Sequence, residues 1–107
     1  MMLIRSFLVL AFVSSMAAPA VAAADVKKGE ALLTRDCSRC HAVGLTGNSP
    51  RPDAPAFRTL ATRYPIESLE EALGEGIMSG HPDMPELKYD ADDVGAIIDY
   101  LKSIQPR

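Results

Sequence analysis

Apolar positions along this chain fall into four blocks separated by polar, breaker-rich stretches. Ser6 to Val13 is mostly large and apolar, and Ser14 to Ala24 turns to small residues interrupted by Pro19. Val26, Gly29, Leu32 and Leu33 then recur at spacings of three and four, with Lys27, Lys28, Glu30 and Arg35 off the stripe. This predicts a helix over 26–36 that Asp25 can cap. Gly29 in its middle fits either a close helix crossing or a tolerated surface glycine. From Gly44 to Pro55 the periodicity stops, because Gly44, Gly47, Asn48, Ser49, Pro50, Pro52 and Pro55 are too many breakers for a helix or central strand. Phe57, Leu60 and Ala61 suggest a short helical turn. Pro65 as a first helical residue, Glu67 and Glu70 near the N-terminal end, and the stripe Ile66, Leu69, Leu73 predict a helix over 65–75. After a second loop over 76–85 comes the strongest pattern. Asp90 is placed to cap, Asp92 and Asp93 load the first turn, and Val94, Ile97, Ile98, Leu101 and Ile104 form one apolar face. Lys102 sits near the end, and Pro106 stops the helix. No internal repeat appears, and no period-2 run is long enough for a sheet, so the expected class is all-α.

The first block reads differently from the others. Arg5, the short apolar run and Ala22-Ala23-Ala24 have the layout of a secretory signal peptide over 1–24, cleaved after Ala24 or, alternatively, after Ala23. The large-residue run is short of the ~20 apolar residues that span a bilayer, so no stable membrane insertion is expected after cleavage. Residues 25–107 would form a single domain, exported and periplasmic. With Arg5 removed, ten basic residues face 14 acidic ones, a formal charge of −4. That sign argues against nucleic acid as a partner, and the absence of tryptophan argues against an aromatic stacking platform. A domain this small buries little surface by itself, and many of its size rely on a staple or cofactor.

Cys37-Ser38-Arg39-Cys40-His41 supplies the candidate chemistry. The Cys-x-x-Cys-His spacing is that of covalent c-type haem attachment: two thiols can each add to a vinyl group while the next residue offers an imidazole to iron. A disulfide is permitted in an exported protein, although so short a loop would stabilise little. A structural zinc site wants four ligands, and a thioredoxin-like motif wants a βαβ setting; neither is found here.

With the Cys-x-x-Cys-His motif after an N-terminal helix, and Met84-Pro85 in a late loop before a C-terminal helix, the layout from Gly29 to Ile104 resembles the small class I c-type cytochromes. The resemblance implies three to five short helices wrapped on one covalently bound haem c, with the N- and C-terminal helices crossing at small residues. Gly29 and Leu33 would then meet Ile97 and Tyr100. It further implies thioethers from Cys37 and Cys40, His41 on one face of the iron and Met84 on the other. Pro55 would accept the His41 Nδ1 proton, and Arg51, Arg58, Arg63 and Tyr64 are candidate propionate partners.

Met78 and His81 compete with Met84 for the second axial position. Met84 is favoured by its setting between Pro82 and Pro85, which can hold a thioether at low entropic cost. With both axial positions filled by protein, the expected role is a monomeric electron carrier, not an enzyme, passing single electrons between redox partner proteins such as a dehydrogenase, reductase or oxidase. The alternatives are a labile sixth position serving a gas- or peroxide-binding sensor or enzyme subunit, and a cytochrome subunit tethered to a dehydrogenase.

Overall fold

The computed structural model of the chain describes residues 11–16, 20–76 and 86–107. Among these the regular elements are all helical, as the periodicity predicts: α1 (Ala20–Cys37), α2 (Leu69–Glu75) and α3 (Ala91–Ser103), with 3₁₀ turns at Phe57–Thr62 and Ile66–Ser68. Two boundaries differ from expectation. α1 begins at Ala20, so Asp25 lies inside it and caps nothing; alanine is the best helix former, and nothing between Ala20 and Ala24 breaks the helix. Pro65 is not the first residue of a continuous helix. Its backbone is extended (ψ 136°), a 3₁₀ turn follows, and α2 starts only at Leu69.

The fold is organised by α1 packing across α3. Gly29 is the point of closest approach: a Cβ there would collide with the Ala96 carbonyl and lie 2.8 Å from the Tyr100 Cβ. The glycine is therefore a packing residue, meeting Ala96 and Tyr100. All five apolar positions expected on α3 are buried, and Ile97 is fully so. Ala96 and Tyr100 are buried as well, which widens the covered face beyond one stripe. At its start Asp90 accepts the Asp93 backbone N–H at 2.9 Å, the expected cap. Lys28 of α1 reaches Asp93 at 2.8 Å across the same crossing.

The breaker-rich loop is tied down by a few bonds from far along the chain. Phe57 N–H donates to Ala42 O at 3.0 Å, Arg51 N–H to Cys40 O at 3.1 Å, and the buried Tyr100 hydroxyl to Val43 O at 2.8 Å. Gln105, just beyond α3, accepts from Ala61 N–H at 2.9 Å and donates to Phe57 O at 2.8 Å, clamping the first 3₁₀ turn to the end of α3. α2 ends at Gly76, whose φ of 115° suits glycine, and Tyr89 N–H returns to Leu73 O at 2.9 Å.

Candidate functional site

α1 ends on Cys37, and the chain then turns tightly: the N–H groups of Cys40 and His41 both donate to Cys37 O, at 3.2 and 2.9 Å. This turn brings Cys37, Cys40 and His41 to one wall of a single cavity of about 800 Å³. Both cysteines are free thiols. Burial, with smaller contributions from Asp36 and Cys40, pushes the Cys37 thiol up to about 11, so it is an S–H group at neutral pH.

His41 is fixed on two sides. Its Nδ1 lies 2.8 Å from Pro55 O, and its ring stacks on Phe57 with centroids 4.7 Å apart. A carbonyl oxygen only accepts, so Nδ1 carries the hydrogen and the Nε2 lone pair is left for another partner. Such a bond orients a metal-binding imidazole and raises its basicity. Pro55 therefore stands where the resemblance places it. Phe57, which closes against the ring, was expected only as part of a helical turn.

The rest of the cavity is mostly hydrocarbon, with Leu33, Leu60, Leu73, Leu87, Ile97 and Leu101 around it. Its volume is within the ~300–1,000 Å³ usual for cofactor pockets. The lining suits an apolar group of cofactor size.

Of the expected propionate partners, Arg51 and Tyr64 line the cavity, whereas Arg58 and Arg63 are outside its described lining. Arg58 Nη1 is nevertheless buried with no hydrogen-bond partner among the described residues, a donor suited to an anionic group. Among the described residues no cluster of three or more His, Cys, Asp or Glu could hold a metal ion alone. Two free thiols, an imidazole with one free nitrogen and an apolar chamber together fit a covalently held haem. Met84, Met78 and His81 lie outside the described residues.

The family model for cytochrome c matches residues 26–105. The chain belongs to the cytochrome c family. Cytochrome c-552 of Bradyrhizobium diazoefficiens is 33% identical over 99 residues, covering 92% of this chain and 91% of that protein. No solved structure gives a significant match. This cytochrome c thus has the all-α fold expected of it, one covalently bound haem c and an electron-carrying role served by redox partner proteins. No helix among its described residues is long and apolar enough to cross a membrane.

Two groups at the site had no signal in the sequence. Tyr89, buried between the second loop and α3, donates its hydroxyl to Asp36 Oδ2 at 2.8 Å. Burial and this bond push the Tyr89 phenol well above its ordinary range, and the Arg35 guanidinium beside Asp36 holds that carboxyl below its own. A lone aromatic outside any periodic stripe, and an acid at a helix end, look like many surface residues.

Proposed function

We propose that this cytochrome c is a periplasmic single-haem carrier in which Cys37 and Cys40 form the thioethers, His41 Nε2 binds one face of the iron and Met84 the other. The observation that carries this reading is the His41 clamp: with Nδ1 on Pro55 O at 2.8 Å and Phe57 stacked behind, the imidazole is presented beside both thiols. When bound, the haem supplies a centre that gains and loses one electron. The chain's own part is to hold and orient it and to keep water from it. Cys37 and Cys40 would each add S–H across a vinyl double bond, sulfur to one carbon and hydrogen to the other, with no net oxidation. Met84 follows from its place between two prolines before α3, and filling the sixth position with a thioether would raise the potential relative to two imidazoles.

In this reading residues 1–24 are a signal peptide, residues 25–107 the mature monomer, and cleavage trims α1 to begin at Asp25. The haem edge at the thioethers is the docking surface for redox partners, and the overall acidity of the chain favours a basic partner surface. The test is a visible and near-infrared spectrum of protein matured in an exporting host. Reversible reduction and a weak ferric sulfur-to-iron band that Met84→Ala abolishes are expected, with carbon monoxide binding slowly to the wild type and quickly to the variant. A band absent from the wild type, with a spectrum indifferent to Met84→Ala, removes Met84 as ligand.

A further inference from the structure

Four acids line the cavity among the described residues: Asp36, Asp53, Glu75 and Glu86. Three of them are exposed, and water screens their charge. Asp36 is different. Its side chain is only 16% exposed, it immediately precedes Cys37, and it is held by three bonds: Arg35 Nε at 2.7 Å, Arg35 Nη2 at 2.8 Å and the Tyr89 hydroxyl at 2.8 Å. Its counter-ion does not share this burial, since the Arg35 side chain is 67% exposed. The anionic end of the pair therefore belongs to the cavity wall and the cationic end to solvent, where its field is damped. Part of that field already reaches the neighbouring Cys37 thiol and helps to raise it.

An iron centre carries one more positive charge oxidised than reduced, so a fixed negative charge in a low-dielectric wall favours the oxidised form. We infer that Asp36 is a potential-setting residue: its largely covered carboxylate, positioned by the Tyr89 hydroxyl, holds the reduction potential of haem in this cavity below the value the cavity would give without that charge. The inference rests on the haem reading proposed above. Tyr89 is a positioning residue, acting through Asp36 and on the segment that returns from the second loop to α3.

Equilibrium redox titration of the purified holoprotein tests this. Asp36→Asn keeps the shape and removes the charge. It should raise the equilibrium constant for reduction about threefold to tenfold, a positive shift of about 30 to 60 mV at ~59 mV per tenfold for one electron. Arg35→Gln strips the counter-charge from the carboxylate and should shift the potential the other way, by less, whereas Tyr89→Phe frees the carboxylate from its position at the wall and should shift it upward, by less than Asp36→Asn. A loosened site that admits water lowers the potential in every variant, so the opposite signs separate charge from damage. An unchanged or lowered potential in Asp36→Asn, with a normal haem spectrum, overturns the inference. If that variant fails to mature, Arg35→Gln is set beside Arg35→Lys, which keeps the cation: a negative shift in Arg35→Gln that Arg35→Lys does not show supports the inference, and no shift, a positive one, or the same shift in both overturns it. A wild-type protein with no haem spectrum would instead defeat the underlying haem reading.

Discussion

The two halves of this small protein are finished to different degrees. On one side α1 and α3 cross at Gly29 with no space for a methyl group, and Ile97 is fully buried. On the other, the same two helices face a cavity of about 800 Å³, lined by loop segments that are held by a few hydrogen bonds from Tyr89, Tyr100 and Gln105. The crossing is a core that the protein completes by itself. The chamber is an apolar space of cofactor size, walled by those helices and by loops.

The largest effect should come from breaking the chamber. Cys37→Ala with Cys40→Ala removes both attachment points, and the resulting protein should lose its cooperative thermal transition while keeping some helical circular dichroism. A sharp, wild-type-like transition in that variant would mean that the two halves do not differ as described. Next is Ile97→Ala, which hollows out the residue shared by both halves; chemical unfolding of the holoprotein should show a loss of about 2–5 kcal/mol. Gly29→Ala attacks the crossing alone. Its methyl would press on the Ala96 backbone, which cannot swing aside, and about 1–3 kcal/mol should be lost with the visible spectrum unaltered. A stabilised Gly29→Ala protein would show that the crossing is looser than its geometry.

These expectations also mark what could be read from the chain beforehand. Gly29 and the α3 stripe were legible because helical periodicity turns a packed face into a repeating pattern. Cys37, Cys40 and His41 were legible because their chemistry needs that spacing. Asp90 was legible as a cap because it works on its own helix; Asp90→Ala should cost about 0.5–2 kcal/mol. The chamber's fastenings were not legible. Gln105 to Phe57, Tyr100 to Val43 and Tyr89 to Asp36 join residues 48 to 57 positions apart, and tertiary hydrogen bonds leave no period. Local preference also misled at two ends: Asp25 offers a cap that the alanines before it make unnecessary, and Pro65 opens a 3₁₀ turn ahead of α2.

The smallest expected effect is on acid stability. Asp36 has a folded-state value below its ordinary 3.8, so its contribution is present above that value and is lost as pH falls through the lower folded one. Unfolding free energies followed down the acid limb should therefore decline less steeply in Asp36→Asn than in the wild type. Parallel acid limbs would mean that the carboxylate is bound no better in the folded chain than in the unfolded one.

The claim on which the rest depends is that the chamber beside Cys37, Cys40 and His41 is completed by a group bonded to those thiols. Mass spectrometry of the exported protein after denaturation tests it most directly. The account predicts a chain beginning at Asp25 that carries the added mass of one haem, with that mass retained on the proteolytic fragment containing Cys37 and Cys40. A bare chain whose two cysteines are free or joined as a disulfide would contradict it.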